Sequence, residues 1–158
     1  MPSTEPVSKK IEILLTTQRL AVLSTQSPDG PYANLVAFVC SQDMFRLFFT
    51  TPRTTRKYAN LKADPRAGML IDNRSNEVED FHRAMAVTAT GGIVEITGGE
   101  QKDITKLYLS RHPYLKTFVT SPSTAMMAME VERYILVDHF QNVTEMRMPL
   151  AESIPAIG

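Results

Sequence analysis

The stretch FFTTPRTTRKYAN, residues 48–60, joins a strand to a helix and decides how the rest of the chain is arranged. Two phenylalanines and two threonines form the end of a strand, and Pro52 ends it because proline has no N–H to donate to a ladder. Thr54 or Thr55 can then cap a helix, since a threonine hydroxyl accepts from the free N–H groups of a first turn. The sequence therefore predicts a strand-to-helix junction at this point.

Three positive charges, on Arg53, Arg56 and Lys57, crowd the predicted helix start. The helix macrodipole favours acids there, and residues 53 and 57 would face and repel each other at i, i+4 spacing. A solvated basic turn is one interpretation of such a cluster. Backbone N–H groups, threonine hydroxyls and cationic side chains together also make a phosphate site. Because the threonines accompany a strand-to-helix junction, we favour the bound anion.

Composition limits the class of protein. The 158 residues predict one domain, residues 1–158, with a single core. Lys plus Arg and Asp plus Glu are 17 each, so the chain lacks the basic charge typical of a nucleic-acid-binding protein. Its one cysteine, Cys40, excludes an internal disulfide and a cysteine-based zinc site. No apolar run is as long as a membrane span and the N-terminus lacks the signal-peptide pattern, so we expect a cytoplasmic protein that binds neither nucleic acid nor membrane.

The hydrophobic pattern predicts mostly strands. Strands are expected over residues 19–25, 31–40, 44–50, 66–72 and 84–97, with a last β region over 125–140 whose extension to 148 is left open. Helices are expected over residues 4–17, from 54 or 55 to 63, and over 101–109, with a second helical piece ending at 121. Gly91 and Gly92 lie inside the fifth strand, where they predict a bulge, a bend or close backbone approach. Because no βαβ alternation occurs, we predict a mainly β (α+β) fold, a six- to seven-stranded antiparallel barrel with peripheral helices.

Other patterns give weaker signals. None of the three histidines has a partner at zinc-ligand spacing, so we predict no metal site, and no G-x-S-x-G motif frames a serine nucleophile. The methionine-rich run 125–129 suits an irregular core or a surface for self-association. The polar loop over 72–80 is long enough to form a flap or the rim of a site.

Two of these segments, PYANLVAFV and FFTTPRTTRKYANLKADPRAGMLI, resemble the pyridoxamine 5′-phosphate oxidase-like family of FMN-binding split barrels. The likeness covers roughly residues 14–94. It implies a strand whose backbone lies along the flavin ring, a strand end that adjoins it, and a phosphate clasp at the helix start. The cofactor-binding residues that the resemblance implies are Asn34, Leu35, Val36, Ala37, Phe49, Thr50, Thr55, Arg56 and Lys57. Arg53 is an alternative to Arg56 at the phosphate, and Arg53 or the amides around Thr51 are our candidates to donate to a ring oxygen.

The C-terminus departs from the oxidases, because the chain has no tryptophan and no Arg-Leu-x-Pro segment. The resemblance therefore implies FMN as cofactor without pyridoxamine phosphate oxidation. The expected function is an FMN-dependent oxidoreductase that exchanges hydride or electrons with a small molecule, its catalytic residue unidentified. The alternatives are a non-catalytic flavin or heme-binding or electron-transfer protein, and a deazaflavin-dependent reductase. Because resembling proteins share each cofactor between two chains, we also expect a homodimer with the cofactor at its interface.

Overall fold

Seven antiparallel strands dominate the computed structural model of the protein, which describes residues 5–149. The strands are β1 (Leu20–Ser27), β2 (Gly30–Cys40), β3 (Arg46–Pro52), β4 (Arg66–Asp72), β5 (Ala86–Glu95), β6 (Thr124–Asp138) and β7 (Asn142–Arg147). Their order in the sheet is β3-β2-β1-β4-β5-β6-β7, and β3 also pairs with β6. The first six strands therefore close into a barrel, and β7 extends the sheet beyond β6. This confirms the predicted mainly β barrel with peripheral helices.

Five α-helices of the described residues lie outside the barrel or across its end: α1 (Val7–Thr17), α2 (Arg56–Ala63), α3 (Asp80–Arg83), α4 (Gln101–Arg111) and α5 (Lys116–Thr120). The apolar face of α1 buries Ile11, Leu14 and Leu15 in the core cluster. Its predicted first residue, Thr4, lies outside the described part of the chain. Helix α2 buries Leu61 in the same cluster, so the helix that carries the cationic residues is anchored to the barrel.

The methionine-rich segment of β6 is core throughout. Met127 and Met129 belong to the cluster inside the barrel, and Met126 belongs to a second cluster beneath α4. Alternate residues of this strand thus face two apolar layers, which long adaptable side chains fill well. The prediction of a core role is confirmed. The idea that this run offers a surface for self-association is wrong, because its side chains are at most 3 % exposed.

A β-bulge interrupts the pairing of β5 with β6 where the sequence predicted it. The register shifts between Thr90 and Gly91. A Cβ atom built on Gly91 would lie 2.0 Å from the carbonyl oxygen of Glu130, so no larger residue fits without moving backbone. The glycine is there because the two strands approach too closely for a side chain.

The structure differs from the expected elements in several places, including the added short helix α3, and three of these differences concern the strands. The last β region is a hairpin of β6 and β7, whose connection places His139 and Phe140 at φ of 46° and 68°. Strand β3 starts later than expected because Met44, with φ of 66°, lies in the preceding turn. Leu35 is 62 % exposed, so β2 is not covered on both faces along its whole apolar run.

The predicted polar loop over 72–80 is held by its last residue. The Asp80 carboxylate accepts from the backbone N–H groups of Ser75, Asn76 and Glu77 and from the Ser75 hydroxyl. These bonds lower the pKa of Asp80 below its usual value, the Ser75 amide most of all. The loop therefore has an ordered turn that leads directly into α3.

Candidate functional site

A gap opens between β2 and β3. These strands pair at only three positions, the last of which joins Phe38 to Phe49. Beyond it β3 continues along β6, and the part of β2 from Gly30 to Ala37 has β1 as its only strand partner in the described part of the chain. One edge of that segment therefore presents backbone N–H and C=O groups that no neighbouring strand uses, as at the edge of an open sheet.

The chain turns from β3 into α2 beside this gap. Thr55 is the N-cap: its hydroxyl accepts from the N–H of Tyr58 at 3.3 Å and donates to the carbonyl of Pro52 at 2.9 Å. The hydroxyl of Thr51 lies 2.6 Å from that of Thr55, so the strand end and the helix start are tied together. Of the two caps predicted, the structure uses Thr55. The N–H groups of the two following residues have no acceptor among residues 5–149.

Arg56 and Lys57 occupy this first helical turn without a carboxylate partner in the described residues. The guanidinium of Arg56 lies over the ring of Tyr32, 5.3 Å from its centroid, so it reaches across to the unpaired segment of β2. Lys57 is half-buried, and burial lowers the pKa of its amine. An anion bound here would relieve both charges, which the helix start itself does not favour.

Arg53 behaves differently from its two cationic neighbours. It donates to the carboxylate of Glu95 at 2.8 Å and to the carbonyl of Pro122 at 2.8 Å. Because α2 begins only at Arg56, the expected i, i+4 repulsion between Arg53 and Lys57 is wrong. Arg53 precedes the helix, and its charge is already balanced.

Glu95 is the centre of this network. Its other carboxylate oxygen accepts from the Tyr58 hydroxyl at 2.7 Å, so one side chain of β5 holds both the turn before α2 and the first turn of α2 itself. Burial acts to raise the pKa of Glu95, but the hydrogen bonds from Arg53 and Tyr58 outweigh it and the pKa falls below its usual value. The carboxylate is therefore ionised at neutral pH.

The predicted ring-side residues lie along β2 and the end of β3. Val36 and Phe49 have buried side chains in the barrel core, so only their backbone is available. The side chain of Asn34 has a buried oxygen, Oδ1, without a hydrogen-bond partner. Thr50 is buried, and its hydroxyl lies 3.3 Å from the hydroxyl of Tyr108. An orphaned buried acceptor on the open segment of β2 is the kind of group that a ligand donor satisfies.

Sequence reasoning missed three aromatic residues of this region, namely Tyr32, Tyr108 and His112. Tyr108 donates to the Ala37 carbonyl at 3.0 Å, and His112 Nε2 lies 2.7 Å from the Phe38 carbonyl oxygen. Both side chains come from the end of α4, more than 70 positions along the chain from β2. The only signal in the sequence was the i, i+4 spacing of Ile104 and Tyr108, which indicates an apolar helix face without saying what it covers.

An open cavity of about 580 Å³ lies on the outer side of the barrel next to the exposed Leu35. Val22 of β1 lies between its cross-strand partners, Leu35 of β2 and Leu70 of β4. All three side chains line the cavity. Its mouth carries Asp72 and Arg74, whose side chains form an ion pair at 3.1 Å. The cavity thus has an apolar floor and a charged rim.

Within residues 5–149, no group of three or more His, Cys, Asp or Glu side chains is arranged to hold a metal ion. Among the helices of the same residues, none is both long and apolar enough to span a membrane.

An antiparallel barrel in which two neighbouring strands separate along part of their length is a split β-barrel. The chain belongs to the pyridoxamine 5′-phosphate oxidase family, whose model matches residues 7–138. The resemblance seen in the sequence is therefore confirmed. No curated protein matches the sequence.

Solved structures share this fold at low sequence identity. A heme binding protein from Mycobacterium smegmatis is 18 % identical with a TM-score of 0.79; the match covers 92 % of this chain and 60 % of that protein. The General Stress Protein 26 from Bacillus anthracis is 18 % identical, with a TM-score of 0.70 and coverage of 90 % and 98 %. A FAD-binding protein from Mesorhizobium loti is 14 % identical, with a TM-score of 0.67 and coverage of 83 % and 92 %. At these identities the likeness concerns the fold alone.

Proposed function

We propose that the protein is an FMN-dependent oxidoreductase that holds the flavin phosphate at the start of α2 and the flavin ring along the open segment of β2. The observation that carries this proposal is the pair Arg56 and Lys57, two cations in one first helical turn with no carboxylate partner among the described residues. A phosphate monoester carries close to two negative charges at neutral pH and takes several charge-assisted hydrogen bonds. The two free N–H groups of the same turn add donors.

Between the two candidates for the phosphate, the geometry supports Arg56. Arg53 would have to leave the carboxylate of Glu95 to reach an anion, and Arg56 has no such bond to break within residues 5–149. Exchanging one ion pair for another gains little, because a contact between Arg53 and the phosphate would leave the carboxylate of Glu95 without its cation. We therefore assign Arg53 to holding the turn through Glu95, and Arg56 with Lys57 to the phosphate.

The buried oxygen of Asn34 favours a flavin over a heme. An acceptor without a partner needs a donor, and the ring N3–H of a flavin is one. The periphery of a heme offers apolar edges and propionate oxygens, which accept and do not donate. A deazaflavin that carries a phosphate has the same ring N–H and could bind the same phosphate site. It therefore stays an alternative to FMN.

When bound, a flavin supplies hydride or electron transfer, and the residues of this chain bind and orient it. The edge of β2 from Asn34 to Ala37 offers backbone N–H and C=O groups, and the side chain of Leu35 offers apolar cover. The N–H groups near Thr51 are candidate donors toward a ring oxygen.

The absorption spectrum of the protein as purified tests the proposal. Flavin bands are expected, and the released ligand should have the mass of FMN. A Soret band in their place would contradict the proposal in favour of a heme-binding protein on the same fold.

We further propose that two copies of the chain form a dimer through the outer face of β1, β2 and β4. Leu20 and Leu35 are 53 % and 62 % exposed there, beside the half-buried Val22 and Leu70. A contiguous apolar face next to a binding gap is typical of a surface that a partner covers.

Light scattering at micromolar concentration is expected to give the mass of a dimer. Leu20→Glu should shift it toward the monomer, because each interface would bury a charge. Val78→Glu, at an exposed apolar residue elsewhere on the surface, should leave the mass unchanged. A monomeric wild-type protein that still binds flavin would contradict the proposed dimer.

A further inference from the structure

Tyr108 lies where the pairing of β2 and β3 ends. The register that joins Phe38 to Phe49 would next join Ala37 to Thr50. The Tyr108 hydroxyl contacts both residues of that next position: it donates to the Ala37 carbonyl at 3.0 Å and lies 3.3 Å from the Thr50 hydroxyl. One buried phenol therefore bridges the two strands at the point where they separate.

The same helix face holds the neighbouring carbonyl of β2. His112, four residues after Tyr108, has Nε2 2.7 Å from the Phe38 carbonyl oxygen, and the two rings are 4.9 Å apart. A carbonyl can only accept, so Nε2 carries the proton and donates. Successive carbonyl groups of a strand point to opposite edges. Tyr108 and His112, the C-cap residue of α4, therefore form hydrogen bonds at the two edges of β2.

Burial keeps this bridge in its donor state. Tyr108 is 1 % exposed, and burial raises the pKa of its hydroxyl above the usual value. The phenol therefore keeps its proton at neutral pH, so its hydrogen bond to the Ala37 carbonyl does not depend on small changes of pH.

We propose that Tyr108 is a positioning residue that fixes the fork between β2 and β3 and thereby sets the position of the β2 backbone that receives the flavin ring. The proposal rests on the proposed function for its ligand and on the hydrogen bonds of Tyr108 for its mechanism. It assigns the end of α4 to the ring side of the site, in contrast to Lys57 on the phosphate side. Tyr108 need not touch the ligand to act in this way.

The ligand arm of the test uses Tyr108→Phe, which keeps the ring and removes the hydroxyl. FMN and riboflavin should both bind more weakly, and by the same factor of about three to ten, the range for one lost hydrogen bond. Tyr114→Phe is the matched control, because Tyr114 is 92 % exposed on the following segment. A loss confined to FMN would overturn the assignment to the ring side.

The second arm needs no ligand. In Tyr108→Phe without flavin, the amides of Val39 and Phe48, next to the fork, should exchange with solvent about tenfold faster, whereas amides of β5 keep their wild-type protection. Fork amides that exchange as in wild type would overturn the proposal, and so would a uniform increase over the whole barrel, because that would show a loss of global stability only. Wild-type protein that binds neither flavin would refute the proposed function, and the exchange rates would still decide the role of Tyr108.

Discussion

Lys57→Glu is expected to weaken FMN binding by about 2–3 kcal/mol, a factor of about 30 to 150. The change removes one charge-assisted donor from the phosphate and replaces it with a repelling carboxylate. Lys57 is half-buried in the first turn of α2, so solvent screens the new repulsion less than at an open surface. Riboflavin, which has no phosphate, should bind wild type and variant equally.

Titration of FMN and riboflavin into flavin-free protein measures this effect. Lys102→Glu is a matched control, because Lys102 is the second residue of α4 as Lys57 is of α2. It should leave FMN affinity unchanged. Equal FMN affinity in wild type and Lys57→Glu would show that the cationic turn is structural.

The same variant should fold as well as wild type without cofactor. An acid in the first turn of a helix interacts favourably with the macrodipole, so melting should be unchanged or slightly higher. This gain comes from α2 alone, since Arg53 is bound to Glu95 and does not face Lys57. Melting well below wild type would mean that Lys57 supports the fold.

Gly91→Ala is expected to destabilise the barrel by about 3 kcal/mol, the upper range for inserting a methyl group into a packed interior. The added Cβ would lie 2.0 Å from the Glu130 carbonyl oxygen and 2.9 Å from its carbon, and backbone atoms cannot rotate away as a side chain can. The strain falls on the β5–β6 pairing, the pair of strands that share the longest ladder. Urea unfolding monitored by circular dichroism measures the change in the free energy of unfolding.

The neighbouring glycine supplies the control. Apart from Gly92 itself and its two chain neighbours, no atom of the described residues lies within 4 Å of a Cβ built on Gly92, so Gly92→Ala should be neutral or stabilise by up to about 1 kcal/mol by restricting the unfolded chain. Opposite effects at the two adjacent positions would establish that position 91 requires glycine because the strands approach closely there. They would exclude a general requirement for glycine in this part of β5. Equal small effects would contradict the observed register.

Local patterns predicted much of the barrel. The fourth strand has the predicted bounds, Arg66–Asp72, because a proline before it and a polar loop after it mark both ends. The bulge at Gly91 was also predictable, since a strand tolerates interior glycine only for such a reason. The β6–β7 hairpin was missed because its turn places His139 and Phe140 at positive φ. Glycine and asparagine are the usual residues at such positions, and their absence left no turn signal in the sequence.

The candidate site was predictable only in part. Thr55, Arg56 and Lys57 are neighbours in sequence, so their convergence followed from one junction. Glu95 pairs with Arg53 and so leaves that arginine without a role at the phosphate. The two residues are 42 positions apart, and no local sequence pattern predicts their contact. Contacts of this kind are decided by how strands close into a barrel, and a single sequence does not show that closure.

We propose above that the phosphate of a flavin binds at the start of α2, where Arg56 and Lys57 have no carboxylate partner within residues 5–149. The ratio of FMN to riboflavin affinity in the wild-type protein tests it most directly, because the two ligands differ only in that phosphate. Two charge-assisted contacts predict FMN affinity at least about 100-fold higher, and the ratio should fall as salt rises. Equal affinities, or binding of neither flavin by a protein that takes up heme, would contradict the account.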